Sequence, residues 1–501
     1  MGKGLTGIFV KESIWKFLSS IIGKAGALVF VIIIARFLKP DGFGIYSLAM
    51  SISLVFIAFA NIGVNQTLVR YVSYAFGRAN KKQAVTYAKY LLKIKTFLIV
   101  LLSFLLLVLA YPLSYNLFEK PQLFYPLIIV TLYIILVSFE SFLEHLFYAL
   151  KKTKYIAVRE IIFQPLRIFF ALIVFLILVP EVYVEGIIFG AALATLATLA
   201  TMIFFLRREN FSIFSRSSAR IDKKKVRKFL GYMAIGGLSA TFFGYIDTIM
   251  LGIFLPSEYI GYYSAAFTLI TSIAVLLSVS IIALPIFTQL KSSQLEDAFG
   301  KVFRFVCILN IPLIFGTLAV GRYVIKLVYD LPYLPATLPL YFLSPLIFSI
   351  SISNVLVALF SAREKPQYFV RMLIITAVIN IALNYFFITL FLKVSMHWAM
   401  AGAAIATLFS RYFYMFSLGI IGTRKFKIRF KTSYWVKPSV SAVVMFSVLL
   451  NINAYVEDMT LLIGIGEVIL GVFIYGICMV LIKGITKEDF ALLKSSIPFR
   501  L

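Results

Sequence analysis

Apolar and polar positions along this chain alternate in long blocks, not at the short periods of a water-soluble domain. Fourteen apolar runs can be drawn, near 17–37, 44–68, 96–115, 124–149, 160–179, 186–206, 229–252, 260–285, 305–321, 337–360, 372–392, 398–421, 438–455 and 460–482. Most supply the roughly 20 apolar residues that a helix needs to cross hydrocarbon, where it satisfies its own backbone groups. The pattern predicts an all-α integral membrane protein with about 14 transmembrane helices. The first run is long and lacks a small-residue cleavage pattern, so it reads as an uncleaved first span.

The polar gaps between the runs carry a sign pattern that orients the chain. Of the 48 Lys and Arg, six (Arg36, Lys39, Lys120, Arg322, Lys326 and Lys393) fall at odd-numbered gaps, and Lys24, Arg167 and Arg411 fall inside runs. The other 39 lie at the N-terminus, the even-numbered gaps and the C-terminus. Basic residues near span ends are retained on the cytoplasmic side, which predicts a multi-pass protein of the cytoplasmic membrane with both termini in the cytoplasm. A net charge of +27 would suggest nucleic acid in a soluble protein, but this distribution accounts for it and removes that reading.

Other chemistry is sparse. Cys307 and Cys478 lie far apart in apolar runs, and His145 and His397 are isolated, so no metal or cofactor site is expected. The outward gaps are short and carry acids, among them Asp41, Glu258, Glu457 and Asp458. None could fold as a domain, which argues against a membrane-embedded glycan polymerase or any other enzyme and places the work between the helices.

An internal repeat organises the spans. The junction of spans 1 and 2, Phe37-Leu38-Lys39-Pro40-Asp41-Gly42-Phe43-Gly44-Ile45-Tyr46-Ser47, matches Phe254-Leu255-Pro256-Ser257-Glu258-Tyr259-Ile260-Gly261-Tyr262-Tyr263-Ser264 at a constant offset of 217. In spans 6 and 12, Gly190-Ala191-Ala192-Leu193-Ala194-Thr195 matches Gly402-Ala403-Ala404-Ile405-Ala406-Thr407. The expected organisation is a six-helix lobe over 1–206, a basic cytoplasmic linker over 207–228, a second six-helix lobe over 229–423, and a peripheral segment over 424–501 holding spans 13 and 14. Six is even, so the two lobes are parallel repeats, and substrate sites in such proteins lie near the bilayer middle between the halves.

The stretch Ala35-Arg36-Phe37-Leu38 through Phe43-Gly44-Ile45-Tyr46, its counterpart Gly261-Tyr262-Tyr263-Ser264, and the basic turns Lys151-Lys152-Thr153-Lys154 and Arg363-Glu364-Lys365 resemble the MATE-like flippase superfamily. More narrowly, they resemble its polysaccharide transporter branch of Wzx-type lipid-linked oligosaccharide flippases. The resemblance covers about residues 1–430. It implies two lobes arranged as a V that opens alternately to either face, and a polyprenyl-(pyro)phosphate-linked oligosaccharide as substrate, translocated for cell-surface glycan assembly beside other glycan-assembly proteins. It also leaves a coupling cation, H+ or Na+, as a possible partner. A cation-coupled multidrug exporter of the same fold is the alternative, but organic cations favour carboxylates and aromatics, whereas span 1 carries Lys24 and no carboxylate.

Ionisable groups inside apolar spans are costly there and point to a pathway or a partner. Lys24, Arg167 and Arg411 are the candidate phosphate-binding cations, and Arg411 lies too deep in span 12 to snorkel out. The resemblance adds to Lys24, since members of the superfamily close to the peptidoglycan-precursor flippases carry cationic side chains in this span. Asp247, and the pair Glu140 and Glu144 on one face of span 4, are candidates for ion coupling, with neutralisation of Arg167 as the structural alternative for the pair. Asn380 and Asn384 are candidate glycan contacts or interhelical hydrogen bonders, and Glu467 in span 14 is expected to pair locally or to contact another protein.

Overall fold

Among the described residues the apolar runs lie on helices, three of them divided between two. The computed structural model describes residues 2–209, 211, 213, 219–276, 280–455 and 461–484, and all regular structure among the described residues is helical. Spans 1 and 2 form α1 (Gly2–Asn61), and α2 (Val64–Gly77) completes span 2 beyond a break at Gly63. Then follow α3 (Lys81–Tyr111), α4 (Phe124–Ala149), α5 (Lys154–Ile177), α6 (Tyr183–Arg208) and α7 (Lys223–Phe254). Span 8 comprises α8 (Ser257–Leu276) and α9 (Ser280–Gln289), and span 9 is α10 (Ser292–Tyr329). Span 10 is the pair α11 (Thr337–Leu343) and α12 (Leu346–Ala362), bent by 48° at Ser344–Pro345. The last four are α13 (Pro366–Leu392), α14 (Met396–Phe426), α15 (Ser433–Asn453) and α16 (Leu461–Leu481).

Local chemistry sets the breaks and starts. Lys39 leaves helical geometry (φ 57°, ψ 174°) immediately before Pro40, whose missing N–H and fixed φ suit the first position of the helical segment that follows. Asn80 and Asp222 cap α3 and α7, their side chains accepting from the backbone N–H groups of Gln83 and Lys225.

Among the described residues ten stretches are long and apolar enough to cross a membrane, or eleven with the bent pair. One of them, Ser19–Gly77, holds both of the first two expected spans, and expected spans 7 and 8 lie partly outside the described side chains. Glu457 and Asp458, expected on an outward turn, lie outside the described residues, as does part of the basic linker. Large apolar side chains such as Phe97 and Phe104 on α3, Leu176 on α5 and Phe473 on α16 are exposed in continuous stripes, a surface suited to lipid and not to water. The protein is a multi-pass, all-α membrane protein.

The chain divides into two compact units, one of residues 1–264 with 384–403 and one of 265–383 with 404–501. These boundaries differ from those of the expected lobes. The first unit keeps α7, because α7 packs on α1 and α2. Its core joins α2, α3, α4 and α6 through Leu68, Leu91, Leu146 and Met202. In the second unit α9, α10, α12, α14 and α15 close around Phe299, Cys307, Leu359 and Met445.

The two repeat junctions meet each other inside the first unit. A Cβ on Gly44 would stand 1.8 Å from the backbone oxygen of Ser257, and one on Gly261 would stand 2.1 Å from that of Pro40. Only glycine allows either approach. The offset of 217 pairs Gly44 with Gly261 and Pro40 with Ser257, so the contact is reciprocal.

Candidate functional site

The seam between α1 and α5 in the first unit brings together Lys24 and Arg167, two of the three candidate cations. Small residues bring the helices together, with a Cβ on Gly26 falling 2.6 Å from Cγ of Gln164. Gln164 donates to the Gly23 carbonyl at 3.1 Å and to Glu160 at 2.9 Å, which fixes the stretch of α1 that bears Lys24, itself half-buried. A turn and a half further along α1, the Arg167 guanidinium lies over the Phe30 ring at 4.1 Å, with Phe163 at 5.2 Å. Its Nε and Nη2 are buried and have no hydrogen-bond partner among the described residues. Tyr46, Tyr133 and Glu160 lie within electrostatic range. A desolvated guanidinium with unfilled donors is costly as a structural element and well suited to an anionic acceptor.

The carboxylates expected to neutralise Arg167 are engaged elsewhere. Glu140 is clamped by Arg159, with Nε to Oε1 at 2.9 Å and Nη2 to Oε2 at 2.5 Å, and it also accepts from the Thr198 hydroxyl. Arg159 pairs with Glu160 as well. Glu144 is hydrogen-bonded by Tyr148. The pairing thus corrects the expected one. The cation that neutralises Glu140 is Arg159, about two turns before Arg167 on the same helix.

Two cations, one of them buried and one mostly so, escape a reading by apolar runs. Arg159 and Lys95 both precede the runs drawn for their spans, yet α5 and α3 begin well before them. Lys95 is fully buried, and its ammonium donates to Asn61 at 2.8 Å and Asn65 at 3.0 Å, one on each side of the break between α1 and α2. The spacing of Asn61 and Asn65 around Gly63 was the available signal.

Asp247 on α7 is buried and accepts from the Tyr263 hydroxyl at 3.0 Å and from the Asn384 amide at 2.7 Å. Asn384 therefore ties α13 to α7. Asn380 is fully buried one turn earlier on α13. The offset that aligns the junctions also pairs Phe30 with Asp247, Tyr46 with Tyr263 and Arg167 with Asn384. Each trio clusters in space, one around a guanidinium and the other around a carboxylate. Arg411 belongs to the second unit, half-buried midway along α14 and next to Tyr412, whose hydroxyl donates to the Pro345 carbonyl at 3.2 Å. The structure thus brings Lys24 and Arg167 to one helix pair, Asp247 and Asn384 to another, and keeps Glu140 in an ion pair.

Residues 9–291, more than half of the chain, match the family of polysaccharide biosynthesis proteins, and the chain belongs to that family. A probable low-salt glycan biosynthesis flippase of Haloferax volcanii is 23% identical over 279 residues, or 53% of this chain. The match spans 56% of that relative's length. Among solved structures, the lipid II flippase MurJ in an inward closed conformation superposes with a TM-score of 0.73 over 94% of this chain and 98% of its own, at 14% identity. An inward-facing multidrug resistance MATE transporter of the MOP superfamily gives 0.61 over 88% and 99%, at 11% identity. These likenesses show that the chain shares the fold of those two structures.

Proposed function

We propose that the chain is a flippase that moves a polyprenyl-(pyro)phosphate-linked oligosaccharide across the cytoplasmic membrane by alternating access. The observation that carries this reading is the buried Arg167 guanidinium, whose Nε and Nη2 donors are unfilled, close to Lys24 on the α1–α5 seam. A headgroup phosphate supplies the charge and acceptors that the guanidinium lacks, while the lipid tail stays in hydrocarbon. Arg411, at mid-span depth, is proposed as a further cation on the route. Family membership and the glycan flippase relative support the same substrate class. No separate enzymatic step is assigned.

Among the acids, Asp247 is the proposed coupling site for H+ or Na+. Glu140 is committed to Arg159, whereas neutral donors from Tyr263 and Asn384 hold Asp247. The exporter alternative finds support in the MATE likeness, but α1 presents a lysine where an organic cation would need an acid.

The test is translocation of a fluorescent lipid-linked oligosaccharide in proteoliposomes, set beside ethidium efflux. Glycan flipping without ethidium transport is the expected outcome, and the reverse would overturn the reading. Cysteine labelling is expected to place Asp41 and Glu258 outside, and Lys82 and Lys427 inside.

A further inference from the structure

Span 14 carries an acid whose surroundings differ from those of every other buried carboxylate discussed above. Glu467 on α16 is 4% exposed, and neither of its carboxylate oxygens has a hydrogen-bond partner among the described residues. It lines a cavity of about 450 Å3 in the second unit, walled by Leu269 of α8, Pro312 and Gly316 of α10, Met445 of α15, and Gly471 and Val472 of α16.

The position of α16 against this cavity has a specific cause. Pro312 lacks an N–H, so the carbonyl of Ile308, one turn back on α10, loses its helical donor. The Tyr475 hydroxyl of α16 donates to that carbonyl at 2.9 Å. Glu467, Gly471 and Tyr475 follow one another at four-residue spacing, on one face of α16. The hydrogen bond that docks Tyr475 therefore turns Glu467 toward the cavity, and Gly471, whose Cβ would stand 3.2 Å from Leu449, lets α16 come close to α15 at the cavity wall. Thr317, the other polar side chain on the wall, is satisfied by the Leu313 carbonyl at 2.7 Å. The opposite face of α16, with Leu462, Ile469 and Phe473, is exposed for lipid, so the cavity lies beside the bilayer hydrocarbon.

We infer that this cavity is a binding site for a membrane-partitioned amphiphile with an apolar body and a primary ammonium head that pairs with Glu467. The volume lies within the roughly 300–1,000 Å3 range of small-molecule sites, and the lining is apolar apart from the acid and the two satisfied hydroxyls. A carboxylate desolvated there is unfavourable alone, and an ammonium supplies both the countercharge and the N–H donors that it lacks. The inference does not depend on the phosphate site of the first unit.

The full chain in zwitterionic nanodiscs, incubated with tetradecylamine or tetradecanol and examined by native mass spectrometry, provides the test. The amine is expected to be retained at least tenfold more than the alcohol. Glu467→Gln is expected to bring the two within twofold while its melting temperature stays the same or rises, because an unpaired buried charge is removed. Gly316→Leu, which fills the cavity from a position whose Cβ has nothing nearer than Met445 at 4.0 Å, is expected to abolish retention of both. Equal retention of amine and alcohol by the unmodified protein, an amine preference that survives Glu467→Gln, or amine retention by a folded Gly316→Leu protein would each overturn the site.

Discussion

Phe30, Tyr46 and Arg167 occupy in the first repeat the places that Asp247, Tyr263 and Asn384 occupy in the second, and the two trios have opposite electrostatic character. In the first, a guanidinium lies on an aromatic ring with two donors unfilled. In the second, a carboxylate is held by a hydroxyl and an amide. The two trios share one sequence offset and differ in the sign of the charge at their centre. The contrast separates a membrane charge satisfied by neutral donors from one left with open donors. Asp247 is hydrogen-bonded to α8 and α13, whereas the Arg167 guanidinium meets ring faces and keeps Nε and Nη2 unfilled among the described residues.

This comparison can be broken or sharpened experimentally. The largest effect is expected at Arg159, on which the placement of α5 and its Arg167 depends. Arg159→Ala leaves Glu140 buried and unpaired, which should cost about 3–5 kcal/mol and most of the folded yield, with partial recovery in the Arg159→Ala/Glu140→Gln double variant. Recovery by the double variant is the informative readout, because a role in transport alone does not produce it.

Asp247→Ala should come next, at about 2–4 kcal/mol, since it strands two buried donors at once. Asp247→Asn should recover much of that stability while removing the charge, so any dependence of flipping on a proton or sodium gradient should be lost from a folded protein. A gradient dependence unchanged in Asp247→Asn would remove the coupling role.

Arg167→Ala is expected to leave the melting temperature nearly unchanged and to lower glycan translocation about tenfold, a difference of about 1.4 kcal/mol. Arg167→Lys should keep part of the activity, because a point charge attracts phosphate without the planar fork. A large loss of stability in Arg167→Ala, with normal flipping by whatever protein folds, would make the two trios alike.

The smallest effect concerns a contact outside the spans. Glu209 accepts from the Tyr155 hydroxyl at 2.5 Å and pairs with Lys152 at 2.9 Å, and these hold its carboxyl below the usual glutamate range. A carboxylate with a depressed folded value adds stability that is present above about pH 4.3 and is lost as the pH falls through the folded value. Lys152 is well exposed, so the contribution should stay under about 1 kcal/mol. The difference in melting temperature between the native protein and Glu209→Gln should accordingly be small at pH 7 and vanish near pH 3.

Helix positions were largely legible in the chain, because lipid imposes a long apolar run on each span, and among the described residues the runs lie on helices apart from short breaks and ends. Charge partners were much less so. Arg159 and Lys95 look like gap residues because the helices continue past the hydrocarbon-length run, and a run boundary carries no information about which side chain is buried by a neighbour. The partner of Glu140 was expected on the right helix but at the wrong residue, since spacing along α4 and α5 does not set their relative rotation. Glu467 was expected to pair locally or to contact another protein; Tyr475 and the carbonyl freed by Pro312 turn it toward a cavity, a consequence of two residues far apart in sequence.

The reciprocal approach of Gly44 to Ser257 and of Gly261 to Pro40 is also a matter of symmetry. In a twofold dimer a patch meets its own copy, so residue i touches j while j touches i. The contact in this chain has that form, written in one polypeptide with an offset of 217 residues. Because one polypeptide carries both halves of the contact, the two glycines can be substituted separately: a side chain at either one strains one approach and leaves the other in place, whereas in a true dimer a single substitution would strain both.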